Sequence, residues 1–115
     1  MKKKVVAVTM ATAMMASSLA IGGATVYAAD DPIVIGAVYP MTGDLADSGK
    51  TMQQGIDMAI EEINEAGGVD GQEVQVIYGD SKGDSATGMT EAERLITQED
   101  VDVLIGCYQS GVTVT

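Results

Sequence analysis

The residues of this chain that could contact a ligand follow two apolar runs, and their types favour binding over catalysis. Residues 33–38 precede a polar loop at 41–49, and residues 101–106 precede Ser110. Histidine is absent, which removes the commonest general base, and no serine has a visible base partner. Ser110 stands where a helix is expected to begin, so its hydroxyl and the free N–H groups behind it could receive an amino-acid carboxylate. The alternative is that Ser110 only caps that helix.

Other kinds of site find little support in the sequence. There is no GxGxxG fingerprint after the first apolar run and no GxxxxGK[ST] phosphate loop. Residues 80–91 carry carboxylates at the first, fifth and twelfth positions of a calcium-binding EF-hand loop. However, Lys82 occupies a ligand position of that loop, and Ser85 replaces its turn glycine. We therefore expect no cofactor and no metal, and we interpret the protein as a non-enzyme.

The residues around the first loop predict a strand, a loop and a helix in unbroken order. Residues 33–38 are nearly all apolar, which suits a strand of a parallel sheet, and Pro40 ends it because proline donates no ladder hydrogen bond. Gly67 and Gly68 supply a left-handed stop for the helix, and Gly55 inside it is expected to allow close packing against the sheet. The apolar face of this helix consists of Met52, Ile56, Ala59, Ile60 and Ile63.

The rest of the chain predicts two more strands with a helix between them. Residues 74–78 alternate between apolar and polar side chains closely enough to predict a strand. Residues 79–83 are expected to form a loop, and Asp84 is the expected helix N-cap. Residues 101–106 form the third strand, and Gly88 is a local weakness of the second helix. The apolar side of that helix consists of Met89, Ala92, Leu95 and Ile96. This order predicts an α/β fold with parallel strands, in which ligands bind at the carboxyl ends of the strands.

Two motifs in the first half of the chain carry a resemblance to a known family. The loop has the pattern P-x-T-G-x-x-A-x-x-G, and the helix has the pattern G-I-x-x-A-x-x-E-I-N-x-A-G-G-V. Together they resemble the opening of the periplasmic leucine/isoleucine/valine-binding proteins, which are extracytoplasmic receptors of ABC importers. The matching positions are Pro40, Thr42, Gly43, Leu45, Ala46, Gly49, Gly55, Ile56, Ala59, Glu62, Ile63, Asn64, Ala66, Gly67, Gly68 and Val69. Further matches are Gly71, residues 78–80, Leu95, Ile96, Ile105, Gly106 and Ser110.

The resemblance implies a particular fold and organisation. It implies a three-layer parallel sheet in the spatial order 2-1-3, in the N-terminal lobe of a type I periplasmic-binding fold. The family has two lobes and is several times longer, whereas about 87 residues after a leader bury only a modest core. We therefore interpret residues 29–115 as a partial, truncated N-terminal lobe of a longer protein that is a monomer when full length.

The resemblance also implies roles for four residues at the predicted site. In the family, a serine at the position of Ser110 holds the ligand carboxylate, and backbone groups at the positions of Tyr108 and Gln109 line the pocket. Family members often present an aromatic residue where this chain has Ser48. This departure weakens the case for a bulky aliphatic ligand and leaves room for another polar solute. Tyr108 is a candidate for the missing ring, although ordinary packing is the alternative.

The first 28 residues have the pattern of a secretory signal peptide. Three lysines, at positions 2 to 4, precede an uncharged stretch, and Val26 and Ala28 place small side chains at the cleavage-reading positions. We predict cleavage after Ala28 and a periplasmic or extracellular location. The alternative is an uncleaved anchor, because residues 5–29 are uncharged and long enough to span a bilayer.

Charge and cysteine usage exclude some partners of the exported chain. After the leader, only Lys50, Lys82 and Arg94 remain against seventeen acidic residues, so nucleic acid and anionic membrane surfaces would repel it. The single cysteine, Cys107, permits no internal disulfide and does not lie at the cleavage point, where a lipoprotein anchor needs one. We expect it to be a small buried residue rather than a reactive thiol.

These observations predict a solute-binding protein of an ABC importer. It would capture an amino acid of the branched-chain type, or a related amide- or urea-like solute, between two lobes and deliver it to a membrane permease. One alternative is the ligand-binding ectodomain of a sensory receptor, which uses the same lobe. A less favoured alternative is a small flavodoxin-like enzyme, against which the leader argues.

Overall fold

The computed structural model describes residues 31–115, so the predicted signal peptide lies outside the described residues. The elements are β1 Ile33–Tyr39, α1 Ala46–Glu65, β2 Val74–Asp80, α2 Ser85–Thr97, β3 Val103–Gly106 and α3 Ser110–Thr113. The three strands are parallel and lie in the order β2-β1-β3. The α/β fold class and the strand order 2-1-3 predicted from the sequence are confirmed.

The two long helices cover opposite faces of the sheet. On β2, the Tyr78 hydroxyl donates to the Asp57 carboxylate of α1 at 2.6 Å, whereas a Cβ at the next residue, Gly79, would lie 3.3 Å from Leu95 of α2. Successive strand residues point to opposite faces, so α1 and α2 form the outer layers of a three-layer arrangement. Within residues 31–115, the buried hydrophobic core consists of Ala37, Val38, Val74, Leu95 and Val112, and Pro40 is also buried.

The first helix ends as the sequence predicts. The Gly68 N–H donates to the Ile63 carbonyl at 2.8 Å, and the Gly67 N–H donates to the Asn64 carbonyl at 3.0 Å. Both glycines have positive φ angles, which alanine would adopt only with strain. The expectation for Gly55 is wrong, because this residue is exposed and a Cβ there would meet open space.

The two edges of the sheet differ. At the β2 edge, the Asn64 side chain donates to the Val74 carbonyl and accepts from the Val74 N–H, both at 2.8 Å. Arg94 donates to the Tyr78 carbonyl of the same strand at 3.3 Å and forms ion pairs with Glu91 and Glu99. In the part of the chain described, β3 has a neighbour only on its β1 side, and all four of its residues are exposed.

Two predicted strand boundaries need correction. The third strand begins at Val103 rather than at residue 101. The Asp102 N–H donates to the Val34 carbonyl, but the Val34 N–H donates to the Asp102 carboxylate and not to a backbone carbonyl of the third strand. The second strand continues to Asp80, so the loop predicted at 79–83 is shorter. Asp84 is the N-cap of α2 as predicted, and its side chain accepts from the Thr87 N–H at 2.8 Å.

Candidate functional site

Three connections meet at the edge of the sheet where the parallel strands end. They follow β1 at residues 40–45, β2 at residues 81–84 and β3 at residues 107–109. The sequence predicted the first and third of these as the ligand-facing segments. It missed the second, which contacts both of the others: a Cβ at Gly43 would lie 3.6 Å from the Lys82 carbonyl, and one at Gly83 would lie 3.1 Å from Gln109 Oε1.

The connection after β1 is organised by one carboxylate. Asp80 Oδ1 accepts from the N–H groups of Met41 at 2.8 Å and Thr42 at 3.3 Å, and from Lys82 N–H at 2.9 Å. Asp80 Oδ2 accepts from the Thr42 hydroxyl at 2.6 Å. Partial desolvation raises the pKa of Asp80, but these hydrogen bonds outweigh it and hold that pKa below its ordinary value. The loop that carries the family-like motif is therefore tied to the end of β2 by an ionised carboxylate.

Ser48 does not lie in this loop, which corrects the predicted loop boundary at residue 49. Helix α1 begins at Ala46, so Ser48 is a half-buried residue of the first helical turn. The next residue, Gly49, is buried against the Pro40 backbone, and a Cβ there would overlap the Pro40 carbonyl oxygen. The turn that contains Ser48 is thereby held against the end of β1.

The connection after β3 holds the other three predicted residues in sequence. Tyr108 is 45% exposed, Gln109 is half-buried, and Ser110 is an exposed first residue of α3. The cap position of α3 is Gln109, and no side chain forms a capping hydrogen bond there. The alternative role of Ser110 as the helix cap therefore does not fit this geometry. Helix α3 is only four residues long, so the hydroxyl itself is the group of interest.

Tyr108, Gln109 and Ser110 are consecutive in the chain, whereas Ser48 lies on a different element, in the first turn of α1. None of the four lines the apolar cavity of about 280 Å³ between α2, β3 and α3. Burial raises the pKa of the Cys107 thiol, which lines that cavity and is half-buried. A higher pKa leaves less thiolate, which fits the expectation of an unreactive thiol, but Cys107 is half-buried and not buried as expected.

Gly88 in the second helix has a packing role that the sequence pattern does not indicate. Gly88, predicted as a weakness of α2, is buried, and a Cβ there would overlap Cγ1 of Val112. Glycine at this position lets the short helix α3 pack directly on α2. No sequence signal distinguishes it from the exposed Gly55, because both interrupt a helix in the same way.

The described residues offer neither a metal site nor a membrane-spanning helix. Among residues 31–115, no three His, Cys, Asp or Glu side chains come together in an arrangement that could hold a metal ion. No helix in the same range combines the length and apolar content needed to cross a bilayer.

Comparisons with known proteins agree on one family. A family profile described as "Periplasmic binding protein" matches residues 32–115. Leu/Ile/Val-binding protein homolog 7 of Brucella suis biovar 1 is 37% identical over 111 residues, which are 96% of this chain and 25% of that protein. Homolog 1 of Brucella abortus is 33% identical over 100 residues, 87% of this chain and 26% of that protein.

Solved structures give the same result. The branched-chain amino acid transporter substrate binding protein LivJ from Streptococcus pneumoniae, in complex with isoleucine, matches with a TM-score of 0.68 and 36% identity. The match covers 71% of this chain and 24% of that one. The leucine binding protein LivK from Thermotoga maritima matches with a TM-score of 0.63 and 28% identity, covering 71% and 23%. The chain thus spans about a quarter of the length of the relatives it matches.

Proposed function

We propose that this chain, which belongs to the family of periplasmic binding proteins of the leucine/isoleucine/valine-binding type, forms part of the N-terminal lobe of an exported solute receptor. The ligand is an amino acid, of the branched-chain type or a related amide- or urea-like solute, captured between two lobes. The receptor delivers it to the permease of an ABC importer and performs no catalysis. Support for the ligand class comes from the LivJ structure, which is described as a complex with isoleucine.

The observation that carries this proposal is the exposed Ser110 at the carboxyl end of β3. Its hydroxyl begins a helical turn directly beyond the sheet, with Tyr108 and Gln109 immediately before it. An amino-acid carboxylate placed there accepts a hydrogen bond from the hydroxyl and meets backbone groups of the same connection. Ser48, on the first turn of α1, contributes a small polar surface at the same edge.

We predict that Ser110→Ala weakens isoleucine binding by the complete gene product. Loss of a hydrogen bond to a charged group costs about 1.5–3 kcal/mol, which is roughly a ten- to hundredfold rise in Kd. Isothermal titration calorimetry measures this directly. Thr90→Val is the matched control, because it removes an exposed hydroxyl of α2 that bonds only to the Ala86 carbonyl of its own helix. Equal affinities of the Ser110→Ala variant and the native protein, both folded, would contradict a role for the Ser110 hydroxyl in binding.

We also propose that the chain is exported and cleaved after Ala28, which places it in the periplasm or outside the cell. N-terminal sequencing of the secreted protein should then begin at Ala29 or Asp30. The proposal rests on the sequence pattern of residues 1–28, with three lysines followed by an uncharged stretch. Recovery of the protein only from membranes, with its first lysines intact, would contradict it.

A further inference from the structure

Three contacts join residues 83–88, at and just before the start of α2, to residues 109–112, which include Ser110 and most of α3. We call them together the α2–α3 contact: Gly83 with Gln109, Ser85 with Gly111, and Gly88 with Val112. The residue pairs follow one another in the same order along both segments. The beginning of α2 therefore runs alongside the Ser110 turn.

The first two pairs lie on either side of Ser110; one is a hydrogen bond, and the other is a packing contact in which Gln109 Oε1 is buried without a hydrogen-bond partner among the described residues. The Ser85 hydroxyl donates to the Gly111 carbonyl at 2.8 Å. The Gln109 carboxamide packs on Gly83, and a Cβ at Gly83 would lie 3.1 Å from Gln109 Oε1. Gly83 also has a φ of +76°, so any other residue there would be strained.

The third pair is a close helix–helix contact. Val112 is the buried residue of α3, with 7% of its surface exposed, and its Cγ1 occupies the space that a side chain at Gly88 would need. Glycine inside a helix lowers helix stability relative to alanine. The local cost at Gly88 is offset by the close approach of Val112.

We infer that Gly88 is a positioning residue for the ligand: by admitting Val112, it sets where the Ser110 hydroxyl stands at the edge of the sheet. This inference rests on the proposed function, since it assigns a role to a residue that does not itself contact the ligand. Ser110 lies two residues before Val112, so a shift of Val112 is transmitted through a single helical turn.

Gly88→Ala is expected to displace the turn without unfolding the protein. An ordinary carbon–carbon contact of about 3.5 Å requires the new Cβ and Val112 to separate by about 1 Å. The cavity of about 280 Å³ lined by Gly88 and Val112 gives the valine room to move. At the same time, alanine favours the α2 helix more than glycine does, which offsets part of the cost of moving Val112. Stability should therefore change little while the affinity falls.

The test uses the complete gene product, with L-isoleucine as the probe in calorimetry. Gly88→Ala should raise Kd roughly ten- to hundredfold, the same loss as for Ser110→Ala, because the displaced hydroxyl no longer reaches the carboxylate, while Tm changes little. Combining it with Val112→Ala should restore Kd to within a few-fold of the native value, because the smaller side chain makes room for the new Cβ. Gly55→Ala is the matched control: the same change in an exposed helix position with open space should leave Kd unchanged.

Three results would overturn the inference. They are an unchanged Kd in Gly88→Ala, a raised Kd that Val112→Ala does not restore, and an equal rise in Gly55→Ala. Absence of isoleucine binding by the native protein would instead count against the proposed function. In that case the backbone amide NMR signal of Ser110 decides the inference. It should shift in Gly88→Ala and not in Gly55→Ala, and an unshifted signal would overturn the inference.

Discussion

Replacing Gly49 by alanine is expected to destabilise the protein by about 3 kcal/mol or more. Gly49 is buried on the first turn of α1, and the new Cβ would overlap the Pro40 carbonyl oxygen and lie 2.7 Å from the Pro40 carbonyl carbon. Both are backbone atoms at the end of β1, so no side-chain rotation relieves the overlap. Either the helix must move away from the strand, or the connection between them must unfold.

Urea denaturation of the complete gene product, followed by circular dichroism, measures this effect. Gly55→Ala is the control within the same helix, because a Cβ there meets open space. It should stabilise the protein by roughly 0.5–1 kcal/mol through helix propensity alone. The two alanine substitutions, six residues apart, should therefore have opposite signs. Equal effects would contradict the close approach of α1 to Pro40.

Residues 29–115, prepared alone, are expected to self-associate or fold only marginally, and to bind no isoleucine. The edge strand β3 exposes Val103, Leu104 and Ile105, and Ile96 of α2 is exposed beside it. An uncovered apolar edge strand favours association between chains. The proposed binding site also lacks a facing lobe in this segment, so a small polar ligand would keep much of its surface in water.

Light scattering, thermal unfolding and calorimetry with isoleucine test this prediction. Val103→Lys, at a residue 49% exposed on the open edge, should reduce association, because a charge on an edge strand opposes pairing. A monomeric native segment that unfolds cooperatively, with a melting temperature raised by isoleucine, would contradict both the association and the two-lobe mechanism.

Local patterns in the sequence were sufficient to predict most of the elements. The apolar run before Pro40, the paired glycines after α1 and the cap at Asp84 each act on their own neighbours, so reading along the chain identifies them. The start of β3 was misplaced because Asp102 binds Val34, which is 68 residues away in the sequence. A contact of that range leaves no periodic signal.

The candidate site could likewise be predicted only in part. The order of the elements predicts that Ser110 follows a strand, whereas the contacts that hold the surrounding loops depend on the tertiary structure. Asp80 binds Thr42 across 38 residues, and Val112 approaches α2 at Gly88. Sequence patterns showed glycines in both helices but could not show which of them face another element. For the same reason the pattern predicts close packing at Gly55, which is exposed, and does not single out Gly49 and Gly88, which do approach other elements closely.

Because the two edges of the sheet differ, a further strand can pair more readily at the β3 edge than at the β2 edge. At the β2 edge, the Asn64 side chain hydrogen-bonds the N–H and carbonyl of Val74, the first residue of β2, as a neighbouring strand would. Arg94 donates to the carbonyl of Tyr78, four residues later. A strand from any source therefore meets fewer obstacles at β3. If two copies of the segment pair only through this edge, each uses its single open side, and the assembly closes as a twofold dimer instead of extending into a fibre.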